Sequence, residues 1–316
     1  MAMDQKRDES RWGNRSFLLR KQFLPYAFIL PVLLVVLVVL VYPLVRGVYL
    51  SFTNYGLHNM LMSEKPVWVG VGNYVDLLRD AVFRLSFRTT VLWTLIVVSG
   101  QYVIGFVLAL LLNAQFKGRG LFRSLILIPW IVPSIVAALA WSWIYDQHYG
   151  VLNVMLRQLG LLRGENIAWL GSSTWLALMA VCVAAIWKGV PFMTIVLLAG
   201  LQAIPVELYE ASRIDGARFR QVVRYIILPH LKTISAITIL LSTIWTFNHF
   251  DLVYIMTKGG PAHATHILSI HTYLTAFDEF EMGDAAAIAG VLLIVMLVVM
   301  AFYFWVTRRE EWGAAN

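Results

Sequence analysis

A chain of 316 residues that is 59% hydrophobic and only 14% charged is not an ordinary soluble domain, because such domains carry roughly a quarter charged residues; lipid is the solvent for most of this one. The formal charge of +7 does not require nucleic acid, and no nucleic-acid partner is expected, because membrane proteins gather Lys and Arg on their cytoplasmic side. The single cysteine, Cys182, excludes an internal disulfide and a multi-cysteine metal site and reads as a small packing residue in an apolar run.

A helix needs about 20 apolar residues to cross a hydrocarbon core roughly 30 Å thick, and six segments meet that length. The first, Leu24–Tyr49, has an apolar core too long for a signal peptide and no small-residue cleavage site before Tyr49. An outer segment, about Phe52–Arg88, leads to the second span, Thr89–Leu112. The third, Ser124–Ile144, contains Pro129 and Pro133, and a second outer segment, about Asp146–Ser173, separates it from the fourth, Thr174–Leu201, which contains Pro191. The fifth is Thr233–Met256 and the sixth Ala285–Val306. Proline is tolerated in such helices because neighbours re-satisfy the freed carbonyls; kinks at these prolines serve either packing or the opening of a cavity.

Orientation follows from the basic residues. Lys6, Arg7, Arg11, Arg15, Arg20 and Lys21 precede the first span. Lys117, Arg119 and Arg123 lie in the second loop, Arg213, Arg218, Arg220, Arg224 and Lys232 in the fourth, and Arg308 and Arg309 in the tail. The opposite loops are poorer in Lys and Arg, and the last of them is acidic, with Asp278, Glu279, Glu281 and Asp284. Both termini are therefore expected in the cytoplasm. The expected class is an all-α membrane protein of six transmembrane helices, N-in and C-in. It divides into a cytoplasmic segment at 1–22, a permease domain at 23–307 with a cytoplasmic loop at 203–231, and a tail at 308–316.

That fourth loop is the most informative stretch. Val206–Ile214 is compatible with an amphipathic helix, in which Val206, Tyr209, Arg213 and Ile214 recur at helical spacing. Pro205 suits its start, and Glu207 and Glu210 complement the dipole of its first turns. Asp215-Gly216 predicts a stop or sharp turn. A second helical stretch, Ala217–Ile227, is expected to end at Pro229. A short helix, a glycine bend and a second helix make a rigid element able to transmit force from a partner.

The segment resembles the signature loop of binding-protein-dependent ATP-driven importer permeases. That pattern reads Glu-Ala-Ala, three residues, Gly, nine residues, Ile-x-Leu-Pro, and it falls here on Glu210, Ala211, Ser212, Gly216, Ile226, Leu228 and Pro229. Ser212 replaces the second alanine, small for small. Gly118-Arg-Gly-Leu-Phe-Arg123, Ile128-Pro-Trp-Ile-Val-Pro133, Tyr149-Gly-Val-Leu-Asn153, Trp187-Lys-Gly-Val-Pro-Phe192, Gly200-Leu-Gln-Ala-Ile-Pro205 and Phe247-Asn-His-Phe-Asp-Leu252 with Gly259-Gly-Pro261 extend the likeness to the carbohydrate-uptake subgroup, the class of the maltose and glycerol-phosphate permeases. The resemblance implies the type I importer transmembrane fold in a bacterial cytoplasmic (inner) membrane. It also implies a coupling helix that docks on an ATPase, with Glu207, Glu210, Ala211, Ser212, Asp215 and Gly216 at the joint. The implied partners are a second permease, two ATPase subunits and an extracytoplasmic solute-binding protein, with a sugar or sugar-like substrate. ATP and Mg belong to the ATPase, and no cofactor is expected on this chain. The implied mechanism is alternating access driven by ATP-dependent closure of the ATPase pair.

Polar residues inside spans are costly and mark pathways by default. Lys188 and Phe192 share a helix face, with Gly189 adjoining, and Ser242, Trp245, Thr246 and His249 recur at helical spacing in the fifth span, with Asn248 and Asp251 near its outer end. Hydrogen-bonding groups beside flat rings suit a sugar's hydroxyls and C–H faces, so these nine residues are the expected substrate pathway. The plainer alternatives are that Lys188 pairs with Asp251 or another acid, that His249 is a packing residue, and that the rings are packing or interface anchors.

No G-x-x-x-x-G-K-[ST], H-E-x-x-H or G-x-S-x-G stretch occurs, so no enzyme activity is expected on this chain. The outer histidines His263, His266 and His271 have only suggestive metal spacing, and no metal site is expected. The alternative function is a stand-alone secondary transporter or channel. That would need paired intramembrane acids or broken-helix repeats, neither of which the sequence shows.

Overall fold

A computed structural model describes residues 28–313, with side chains through residue 305; the segment at 1–22, its basic residues and the last three residues of the tail lie outside them. Among the described residues five helices are long and apolar enough to cross a membrane. A sharply bent helix pair, counted as one broken span, makes a sixth.

Helix α1, Phe28–Leu50, is exposed over most of its length and leans on the last span. The outer segment behind it is folded: α2, Leu57–Met62, is followed by α3, Gly72–Arg79, which is tied back where Asn73 Nδ2 donates to the carbonyls of Ser51 (3.1 Å) and Thr53 (2.9 Å). Helix α4 runs Ala81–Asn113, beginning well before the expected Thr89 because Asp80 caps it, its carboxylate accepting from the Phe83 N–H at 2.5 Å. At 33 residues it is about 50 Å long, more than a bilayer core needs.

The third crossing is three short helices, α5 (Arg119–Leu125), α6 (Ile128–Ile131) and α7 (Ser134–Ile144), bent by 94° where Val132 meets Pro133. A residue before proline is pushed out of the helical region, and Val132 sits extended at φ −61°, ψ 128°. The second outer segment contains α8, Val151–Gln158, and is organised by the buried Asn153, whose Oδ1 accepts from Trp169 Nε1 at 3.1 Å while its Nδ2 donates to the Ile167 carbonyl at 3.0 Å.

Helix α9, Thr174–Gln202, matches the expected fourth span. Ser173 caps it, Pro191 sits inside it without breaking it, and its buried alanines let it lie against α4. Small residues are what allow such approach in lipid. Cys182 packs in this interface as expected.

Two expected boundaries are corrected. After the loop helix α10, Val206–Ile214, the chain does not stop at Pro229 but runs as one helix, α11, Phe219–Phe247. A proline ring clashes with the carbonyl four residues back. Here a π turn, Val223–Ile227, widens the helix just before Pro229, with the Leu228 N–H reaching the Val223 carbonyl. The fifth span also ends at Phe247 rather than Met256. Asn248 turns its amide back to the Ile244 carbonyl (2.9 Å), and a separate helix α12, Asp251–Thr257, follows. Helix α13, Leu268–Phe277, and the last span α14, Met282–Gly313, complete the fold. Three buried apolar clusters hold the bundle, centred on Trp93 and Val181, on Met193 and Leu201, and on Phe83 and Ile288.

Candidate functional site

Two regions carry the expected functional residues. At the basic end of the bundle, α10 ends in a glycine cap. The Ala217 N–H reaches the Ser212 carbonyl (2.9 Å) and the Gly216 N–H the Arg213 carbonyl (3.1 Å), the pair of bonds that closes a helix over a left-handed residue. Gly216 takes φ +66°, with open space where a side chain would begin, so glycine is needed there for backbone conformation and not for room. Tyr209 and Ser212 turn toward the bundle; Tyr209 packs on the Met193–Leu201 cluster with Val222 and Ile226, and the Ser212 hydroxyl donates to the Tyr209 carbonyl at 2.8 Å. Burial pushes the Tyr209 phenol above its usual range. Glu207, Glu210, Ala211, Asp215 and Gly216 face outward, beside Ile214, which is 88% exposed. An open depression of about 330 Å³ lies between Asp215–Ala217 and the Gln221–Tyr225 face of α11. The result is a capped helix with an exposed apolar tip, Ile214, and acidic residues beside it.

In the middle of the bundle the expected pathway residues separate into two groups. Lys188, Phe192 and Trp245 share a partly exposed surface. Phe192 lies 4.9 Å from the Trp245 ring, edge to face, and 6.3 Å from the Trp130 ring, stacked. Lys188 Nζ donates to the Val132 carbonyl at 2.6 Å and therefore holds the bend of the third crossing. Its ammonium is bonded to that carbonyl and not to Asp251.

Gly189, Ser242 and Thr246 lie in the interior instead. Gln101 of α4 donates to the Ala185 carbonyl (3.2 Å) and accepts from Ser242 Oγ (2.5 Å). A side chain at Gly189 would begin 2.1 Å from the Gln101 amide, so the glycine is the gap that the amide fills. The Thr246 carbonyl takes the Trp93 indole N–H at 3.1 Å. The helical spacing of Ser242, Trp245, Thr246 and His249 cannot tell an interior face from an exterior one, because both repeat with the same period. His249 lies edge-on to Trp93, and Asn248 and Asp251 are exposed beyond the end of α11. Gln101 and Trp130 were missed by sequence reasoning. The cost of an amide in a span is the signal that would have found Gln101; Trp130 stood out only as part of the Ile128-Pro-Trp-Ile-Val-Pro133 likeness and not as a pathway residue.

At the opposite, outer end, His263, His266 and His271 do come together, with ring centroids 4.9 and 5.1 Å apart in sequence. Among the described residues no three His, Cys, Asp or Glu side chains are placed to hold a metal ion.

Comparison with known proteins agrees with this architecture. The profile of the family described as binding-protein-dependent transport system inner membrane component matches residues 101–311. The trehalose/maltose transport system permease protein MalF of Thermococcus litoralis is 38% identical over 285 residues, covering 90% of this chain and 92% of that one. The sulfoquinovosyl glycerol transport system permease protein SmoG of Agrobacterium fabrum is 35% identical over 301 residues, covering 95% of each. Among solved structures, a chain of a bacterial ABC transporter involved in import of the acidic polysaccharide alginate superposes with TM-score 0.77 at 22% identity, over 93% of this chain and 99% of that one. The fold is that of a type I ABC importer transmembrane domain.

Proposed function

This chain belongs to the binding-protein-dependent transport system inner membrane component family, and from that premise we propose that it forms half of the translocation pathway of an ATP-driven sugar importer and couples that pathway to a separate ATPase through α10. It is an inner-membrane permease and not a stand-alone carrier. The observation that carries the coupling role is the glycine-capped knob at the basic end: its inward face packs on the bundle through Tyr209, with Ser212 buried beside it, while Glu207, Glu210, Ala211, Asp215 and Gly216 are left exposed to engage a groove.

The proposed assembly contains a second permease, two ATPase subunits carrying ATP and Mg, and an extracytoplasmic solute-binding protein. The sugar class rests on the named relatives and on the exposed row Trp130–Phe192–Trp245, whose rings offer flat apolar surface to sugar C–H faces. The proposed pathway lies along Phe192, Trp245, Asn248, His249 and Asp251, facing the second permease, with Lys188 bracing the bend of the third crossing beside it. Gly189, Ser242 and Thr246 support it from behind. Docking of the loaded binding protein at the outer end and closure of the ATPase pair at the basic end would move the two permeases between outward- and inward-open states.

The test is affinity purification of the tagged chain from its native membrane in mild detergent. Recovery of an ATPase and a second permease supports the reading, and recovery of the chain alone, where other complexes survive, overturns it. Gly216→Ala should lower ATPase recovery, because a left-handed residue with a side chain costs about 1–2 kcal/mol and the cap shifts to relieve it.

A further inference from the structure

The outer end of the bundle, remote from α10, holds an open cavity of about 410 Å³ that none of the functions above uses. Asp76, Asp80, Glu279 and Asp284 bring four carboxyl groups to its wall from α3, the start of α4, the end of α13 and the start of α14. No cation answers them: none of the residues lining the cavity is a Lys or Arg, and the nearby Arg84 spends Nη1 on the carbonyls of Leu78 and Arg79.

Two further wall residues, His266 and Thr275, are buried, and each has one polar atom without a partner. His266 is 3% exposed and lies with Nδ1 3.0 Å from Ser86 Oγ. The Ser86 hydroxyl already donates to the Val82 carbonyl at 2.8 Å, so its oxygen accepts and the hydrogen belongs to His266 Nδ1. That fixes the tautomer and leaves Nε2 a bare lone pair with no partner. Thr275 Oγ1, in a side chain 4% exposed, is equally without a partner. The cavity is thus rich in acceptors and short of donors. A metal ion would answer the charge, but no three ligands converge on a point. A planar or tetrahedral nitrogen cation, with several N–H donors to distribute, fits the dispersed acceptors better.

The geometry points to a receptor for one basic side chain, an arginine or lysine, presented by the solute-binding protein when it docks on the outer face. This rests on the importer reading above. The cavity is at the end of the bundle where that partner would arrive, its mouth is open, and its charge is opposite to that of the proposed guest. Burial, together with His271 and His263, pushes His266 down to about 4, which keeps its Nε2 an acceptor at neutral pH.

The test uses the complete transporter in lipid nanodiscs and the solute-binding protein that copurifies with it. Glu279→Gln with Asp284→Asn should weaken docking about tenfold or more and flatten its salt dependence, while ATPase stimulation at saturating binding protein stays at the wild-type level and the melting temperature is unchanged. Docking of the double variant at wild-type affinity overturns the receptor alone. Failure of the wild-type complex to bind any solute-binding protein overturns the receptor and the importer reading together. Stoichiometric Zn²⁺ retained on dialysis by the wild type and lost in the double variant overturns the side-chain guest in favour of a metal.

Discussion

Lys188 spends its ammonium on the Val132 carbonyl, the group orphaned by the bend at Pro133. Replacing it with methionine keeps the length and removes the donor, leaving that carbonyl without its partner at a part-buried site. Lys188→Met should therefore cost about 1–3 kcal/mol of stability, read as a lowered melting temperature in detergent. Transport KM should change little, because the nitrogen is committed to the backbone; a large rise in KM with unaltered melting would instead place the ammonium on the substrate. Gln101 makes the same argument for an amide. Gln101→Leu leaves the Ser242 hydroxyl without its acceptor, while the Ala185 carbonyl keeps its helical N–H, so the loss falls at the lower end of that range by the same measurement. Neither role was legible in the sequence, which marked Lys188 as unusual but gave no hint that its partner is a carbonyl 56 positions away.

At the scale of elements, the outer loops and caps decide what the spans alone do not. His266 is held at about 4 in place of 6.5, by burial and then by His271 and His263. Between those values the unfolded chain binds more protons than the folded one, so the stability that neutral His266 permits is intact above pH 6.5 and is lost as pH falls toward 4. His263, His271, Asp76, Asp80, Glu279 and Asp284 face the same cavity and are present in wild type and variant alike, so the difference between the two isolates His266. His266→Gln should melt progressively higher than wild type as pH is lowered from 6.5 to 4, measured by thermal denaturation at matched ionic strength; parallel curves would refute this. The bounds of α11 show why element limits were misjudged. Pro229 reads as a stop in sequence, yet one wide π turn carries the helix past it, a choice enforced by the packing of Ile227 and Leu231 in the bundle.

At the scale of the molecule, the arrangement requires α10 and the second outer segment on opposite sides of the membrane. In a Cys182→Ala background, Tyr149→Cys should react with an impermeant maleimide in intact cells, and Ile214→Cys only after the membrane is opened, since both positions are 88% exposed. Labelling of Ile214→Cys in intact cells would invert the orientation drawn from the basic loops.

The six apolar runs, the basic bias and the spacing from Glu210 to Pro229 are local quantities, each set by composition within a few turns. They were enough to determine a membrane protein, its crossings and the loop that marks its family. Which polar residues face inward was decided only by the tertiary structure. Gly189, Ser242 and Thr246 carry the same helical period as Phe192 and Trp245, but Gln101 and Trp93 fill the space beside the first three and leave the others exposed. The free energy of a polar group depends on the groups that surround it, and those come from distant parts of the chain.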